Sequence, residues 1–178
     1  MEDALVALNT IEKNGVIGKY AIGGAIGASF YIEATATEDI DAFVFMQPAE
    51  GSLLLSLTPI YNALIALGGV VVEEHIQIGQ WKIQILPAYN ELVEDALNDA
   101  IEVEYAGIPT RVFTPEYTCA IALHTKRDKD FLRVGMFISQ REVDLSLLKK
   151  YIVQYGLEEE IKNVANWVDP DETKPGNN

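Results

Sequence analysis

At 178 residues and 49% hydrophobic content, the chain can bury a core and fits one domain rather than a disordered segment. Its net charge of −14 repels phosphate backbones, so broad nucleic-acid binding is disfavoured, and no apolar run approaches the roughly 20 residues of a membrane span. The single cysteine, Cys119, excludes an intrachain disulfide, and the acidic opening "MEDALVALNT" lacks the basic start of a signal peptide, so a reducing cytoplasm is the expected setting.

In chain order, apolar residues at 4, 5, 8 and 11 predict a helix over 3–13, ended at "KNG". "KYAI" predicts a short strand, broken by Gly23 and Gly24, and "AIGASFYIEA" predicts a helix. A strand over 39–45 and a "QPAEGS" loop follow. "LLLSLTPIYNALIALGG" predicts a helix closed by Gly68 and Gly69, with Pro59 as a flaw. "VVVEEHIQI" and "WKIQILP" predict two strands hinged at Gly79, and 89–100 predicts a helix. "IEVEYAGIPTRVF" predicts two short strands around Gly107. Thr114, Pro115 and Glu116 form a helix start as N-cap, N1 and first-turn acid. Helices continue through "KDFLRVGMFISQ" and "VDLSLLKKYIVQYG", the latter with Asp144 as N-cap and Gly156 past its end. This order predicts an α/β core over 1–114, a helical part over 115–166 and a frayed polar tail over 167–178.

The strand "DIDAFVF" carries the chemistry. Alternation sets Asp39, Asp41 and Phe43 on one face and Ile40, Ala42 and Val44 on the other. Two carboxylates on one face repel, so water at a sheet edge or a cation must offset them. Upstream lies a strand, Gly-Gly and a helix. Glycine there lets backbone approach a ligand, and the free N–H groups of a helix start favour an anion. One element suits a phosphate. The other suits Mg²⁺ or Mn²⁺, since aspartate oxygens are hard ligands.

"IGGAIGASFYIEATATEDIDAFV" resembles the signature of the polymerase-β-like nucleotidyltransferase superfamily, and is most similar to small bacterial AbiEii-like and minimal nucleotidyltransferase-type proteins. Their Thr-x-Asp-Ile-Asp matches Thr37, Asp39, Ile40 and Asp41. The resemblance extends through "LPAYNELVEDAL", "GIPTRVFTPEYTCAIALHTKRDKD" and "RVGMF". It implies a mixed central sheet flanked by helices, and a Mg²⁺-dependent reaction in which an NTP gives its NMP unit to an acceptor hydroxyl. It also implies that Gly23 and Gly24 lie against the triphosphate and that Asp39 and Asp41 hold the metal as catalytic residues.

Two departures stand out. Members of the superfamily bring a third carboxylate from a neighbouring strand, and here that position is Gln84, which supplies neither a charge nor a general base. Many relatives carry an Arg before the Asp pair, and "EATATED" has none. Among the basic residues, "HTKRDKDFLR" holds Lys126, Lys129 and Arg133 at one helical face and Arg127 three residues from Asp130. Either these form a solvated face with local ion pairs, or Arg127 or Lys129 reaches a phosphate with Asp130 orienting it. His124 reads as structural or a proton carrier, His75 in "VEEH" as a weak metal candidate, Cys119 as a buried hydrophobe, and Tyr89 and Trp81 as core or rim.

The expectation is therefore a nucleotidyltransferase whose partners are an NTP and an acceptor left open between protein, tRNA and small molecule. The rivals are a nucleotidyltransferase-fold protein that binds without turnover, fed by Gln84, and a toxin–antitoxin component with an antitoxin partner.

Overall fold

The computed structural model describes residues 1–46 and 56–171. The expected "QPAEGS" loop, residues 53–55 of the following helix and residues 172–178 of the tail expected to fray lie outside the described residues.

A seven-stranded mixed sheet forms the centre, in the order β3-β4-β5-β2-β1-β7-β6. Its middle strands are β1 (Ile17–Ile22), β2 (Asp39–Met46) and β5 (Trp81–Pro87). β2 runs antiparallel to β1 and parallel to β5, with Asp41 opposite Gln84 and Ala42 opposite Ile85. β7 (Ile108–Val112) joins β1 in parallel and carries β6 (Ile101–Tyr105) on the outer edge. "WKIQILP" is thus the strand next to the Asp pair, as the sequence leads one to expect.

The period-2 alternation of β2 sorts two cores. Ile40, Ala42 and Val44 are each 0% exposed and pack with Ile83 and Ile85 under α1 (Glu2–Lys13) and α3 (Thr58–Ala66). Phe43 turns the other way, into a second core with α4 (Glu91–Asn98), α5 (Pro115–Thr125), α6 (Asp128–Gln140) and α7 (Leu145–Gln154). The Asp face of β2 is therefore the face that the later helices cover.

Local chemistry fixes the helix starts. Asn90, Thr114 and Asp144 each accept from backbone N–H groups of the first turn, Asn90 from Val93 at 2.9 Å and Asp144 from Ser146 at 2.8 Å. Beyond α7, Gly156 takes a left-handed φ of 66°. The polar tail is held at its start, where the Lys149 ammonium donates to Asp169 at 2.5 Å and to Asp171 at 2.6 Å.

Four expectations need correction. The helix after the Gly-Gly, α2, covers only Gly24–Ala28. Ser29 ends it by donating its hydroxyl to the Ile26 carbonyl at 2.7 Å, and the chain turns so that Ile32 is buried. "VVVEEHIQI" is two strands, β3 (Val70–Val72) and β4 (His75–Ile78), because Glu73 adopts a positive φ of 56° and makes a turn with Glu74. Pro59 is no flaw, since it stands in the first turn of α3, where its missing N–H has no partner to lose. Lys126 is not on the α6 face. It is the left-handed C-cap of α5, and its ammonium pairs with Glu160 at 2.5 Å.

Candidate functional site

β1 ends at Ile22 and the chain turns through Gly23 and Gly24 directly over β2. The Gly23 N–H donates to the Asp41 carbonyl at 2.9 Å, which ties the turn to the strand. Gly24 has a φ of 57°, and a Cβ there would stand 1.8 Å from Asp41 Oδ2. Only a residue without a side chain allows the carboxylate this close approach to the backbone. At Gly23 a Cβ would meet the Phe43 ring at 2.6 Å. Both glycines are therefore required by contact, and one by conformation as well.

Asp41, Gly24 and Gln84 line a common cavity of about 210 Å³ with Phe43, Leu86, Phe113 and Tyr89. The opposite wall comes from α5, through Thr118, Ile121, Ala122 and Thr125, and from Arg127, Asp130 and Arg133 at the start of α6. The cleft thus lies between the sheet and the helices, charged at the Asp41 end and apolar beyond it.

Asp130 organises the charged end. Its carboxylate is 1% exposed and accepts from Arg127 Nε at 2.5 Å, Arg127 Nη2 at 3.2 Å and Arg133 Nη1 at 2.9 Å. A buried acid without partners costs several kcal/mol, so two guanidiniums on one carboxylate offset its burial and fix their own orientation. Arg133 is 13% exposed and held, whereas Arg127 is 53% exposed and reaches solvent. The pairing of Arg127 with Asp130 matches the sequence expectation, but sequence reasoning does not pick out Arg133 as a site residue. The i,i+3 spacing of Asp130 and Arg133 is the available signal.

Burial raises the Asp41 pKa above its usual value. Arg127, Arg133 and Lys129 oppose that rise, and Asp39 adds to it. Asp41 therefore feels all three bases and the second acid of the pair. Asp39 itself is exposed at the start of β2, where its backbone N–H donates to Thr37 Oγ1 at 3.2 Å. Thr37 and Lys129 line an adjoining hollow with Glu33, Ile32 and Met136, and Arg133 borders both spaces. The structure thus brings Gly24, Asp41, Gln84, Arg127 and Asp130 to one cavity, and sets Thr37 and Lys129 next door.

Of the two aspartates expected to hold a divalent cation, Asp41 lines this cavity with Gln84 opposite it on β5, whereas Asp39, on the same strand face, is exposed at the start of β2 and is not among the lining residues. No group of three His, Cys, Asp or Glu side chains is gathered among the described residues. Hard oxygen donors from two carboxylates, with space left for water and phosphate, fit Mg²⁺, which rarely takes an all-protein cage. The bare Gly24 backbone leaves room for the Asp41 carboxylate itself, whose Oδ2 lies where a Cβ would collide with it. His75 has no such company, and Cys119 is wholly buried with its thiol pKa pushed well up, which makes it inert. His124 lies at the rim, its Nε2 3.3 Å from Asn90 Nδ2. Tyr89 and Thr118 also belong to the cavity wall, and the Thr118 hydroxyl is buried without a hydrogen-bond partner among the described residues.

No helix among the described residues is long and apolar enough to cross a membrane. No protein-family model matches the sequence, and no curated protein matches it. Solved structures do match it in shape. The antibiotic-resistance factor ANT(2'')-Ia, seen in solution, aligns at a TM-score of 0.54 and 15% identity over 89% of this chain and 92% of that one. A crystal structure of ANT(2'')-Ia in complex with adenylyl-2''-tobramycin aligns at 0.55 and 16% identity, over 89% and 98% of the two chains. An antigenic nucleotidyltransferase-like protein from Paracoccidioides brasiliensis aligns at 0.53 and 13% identity, over 90% and 91%. At these identities the likeness is one of fold, and with its mixed seven-stranded sheet between helices the chain has the nucleotidyltransferase fold.

Proposed function

We propose that this chain transfers an NMP unit from an NTP to an acceptor hydroxyl, with Mg²⁺ held by Asp39 and Asp41. The observation that carries the reading is the Asp41 carboxylate against the bare backbone of Gly24, in a cleft shared with two arginines braced by Asp130. Gly23 and Gly24 let the triphosphate lie close to the chain, and Arg127, with Arg133 behind it, receives its charge. Lys129 and Thr37 border the adjoining hollow and add positive potential and a hydroxyl on that side. Mg²⁺ bound at the aspartates lowers the charge of the phosphoryl centre and steadies the leaving pyrophosphate. The solved complex of ANT(2'')-Ia with an adenylylated antibiotic supports a hydroxyl-bearing acceptor for the fold. The net charge of −14 argues against free RNA as that acceptor.

The test is a thermal-shift series with Mg²⁺ and a non-hydrolysable NTP, beside a pyrophosphate-release assay. Ligand at a hundred times its Kd stabilises the native state by about 2.7 kcal/mol. The wild type is expected to gain a clear rise in Tm, and Asp39→Ala to lose most of it. Asp39 is exposed, so the substitution leaves the fold intact. Equal shifts in both proteins would remove the metal site.

A second reading, nucleotide binding with little turnover, is favoured by Gln84. An amide opposite Asp41 accepts hydrogen bonds but takes no proton from an acceptor hydroxyl. Gln84→Glu adds a third negative charge to the Asp face. Without metal it is expected to destabilise the fold by roughly 1 kcal/mol, since like charges directly across strands repel. With Mg²⁺ the sign reverses, and metal affinity and transfer both rise. A change in stability that is the same with and without Mg²⁺ would take Gln84 out of the site.

A further inference from the structure

The apolar half of the cleft has no part in the phosphate chemistry above, and its rim carries an aromatic ring that needs an explanation. Tyr89 is 58% exposed, stands between β5 and α4, and its hydroxyl makes no hydrogen bond among the described residues. We propose that Tyr89 is a stacking platform for the nucleobase of the NTP, one that takes the flat face of any base and reads no hydrogen-bonding edge. The proposal rests on the reading of the charged end as a triphosphate site.

Position comes first. Gln84 lies opposite Asp41 on β5, and Leu86 is the next residue on that face. Two strand residues advance about 6–7 Å. The line Gln84, Leu86, Tyr89 therefore leads away from the phosphate end, in the direction a nucleoside would extend. Volume comes second. The cavity of about 210 Å³ is smaller than the roughly 300–1,000 Å³ that encloses most small ligands, so it holds part of an NTP and the remainder must finish against the rim.

The rim is stiff. The Tyr89 ring is 6.1 Å from that of His124, tilted by 32°. His124 contacts Asn90, whose side-chain oxygen caps α4. An exposed ring backed in this way loses little conformational freedom on stacking. The lining beside it is Leu86, Ile121 and Ala122, with the hydroxyls of Thr118 and Thr125 as its polar side-chain groups. Thr125 already donates to the Ile121 carbonyl at 2.8 Å. The Thr118 hydroxyl is left over, and one hydroxyl that both donates and accepts does not select one base, whereas every base has a π-face.

The experiment measures Kd by calorimetry, with Mg²⁺ present, for non-hydrolysable analogues of ATP, GTP, CTP and UTP and for inorganic tripolyphosphate. The proteins are the wild type, Tyr89→Ala and Tyr89→Phe. The wild type should bind all four analogues within a few-fold of one another and more tightly than tripolyphosphate. Tyr89→Ala should weaken every analogue about tenfold, leave tripolyphosphate within twofold, and be rescued by Tyr89→Phe. Equal losses for analogues and tripolyphosphate, no loss for either, or failure of the Phe rescue would overturn the platform. So would one base bound more than tenfold tighter than the others. If tripolyphosphate itself fails to bind, the phosphate reading falls and takes the platform with it. If tripolyphosphate binds and the nucleotides bind no better, the platform alone is wrong.

Discussion

Gly24→Ala is expected to abolish the response to Mg²⁺ and NTP while leaving a folded protein. The residue has a φ of 57°, a conformation that costs an L side chain roughly 1–2 kcal/mol. That cost alone would be a stability effect and nothing more. The second effect is local. The new methyl would stand 1.8 Å from Asp41 Oδ2 and 2.8 Å from its Cγ, so the carboxylate must rotate out of its position. Moving one of two metal-holding carboxylates by even about 1 Å degrades a site built on geometry, and a loss of about 100-fold or more in transfer follows. Gly15→Ala separates the two effects. Gly15 has a φ of 72° but nothing among the described residues within 4 Å of the point a methyl would occupy, so it carries the backbone strain without the collision. Both variants should lose stability in urea, Gly24→Ala the more because the collision adds to the strain. Gly15→Ala should keep the full Tm rise with Mg²⁺ and NTP, and Gly24→Ala should lose it. A Gly24→Ala protein with the wild-type rise would show that Asp41 and Gly24 do not act together.

What is legible in the sequence is whatever follows from short-range periodicity. β2 alternates cleanly because Ile40, Ala42 and Val44 all face a core at 0% exposure, so the two aspartates are forced onto the other side. The same logic sets Gln84 beside Asp41, because Ile83 and Ile85 have to go inward. Caps are legible too, since Thr114 and Asp144 satisfy N–H groups of their own helix starts. The length of α2 is not. "AIGASFYIEA" is apolar enough for a helix, but Tyr31 donates to the Phe113 carbonyl at 2.9 Å and Ile32 packs into the core, demands set by distant elements. Arg133 and Tyr89 escape a sequence reading for a related reason. Their significance depends on a cleft formed between β5 and the α5–α6 corner, which no local spacing reports. The Glu73 turn is hidden because two glutamates after three valines read as the polar end of one strand rather than a reversal.

Asp41→Asn is expected to move stability and activity in opposite directions. In the folded chain burial raises the pKa of Asp41, more than the three nearby bases lower it. An ionised Asp41 is therefore less favourable in the native state than in the unfolded one. The stability tied to its protonated form is fully present below the unfolded value and is lost as pH rises through the folded value. Asparagine keeps the shape and carries no charge, so at pH 7 without metal the variant should be more stable, by about 0.5–2 kcal/mol. Arg127 and Arg133 are not orphaned by the change, because both remain bonded to Asp130. The gap in stability should narrow as pH falls from neutral towards the ordinary carboxylate range, where the wild-type Asp41 takes up its proton. Function should go the other way. With one of the two charged donors gone, the Tm rise with Mg²⁺ should vanish and transfer should fall by about 10³. Urea melts in EDTA across this pH range, set beside melts in Mg²⁺, read both effects from one pair of proteins. A variant less stable than wild type at pH 7 in EDTA would mean that the arginines hold Asp41 as a structural ion pair. One that kept its Mg²⁺ response would mean that Asp41 is not a metal-holding residue, and the nucleotidyl-transfer reading would lose its centre.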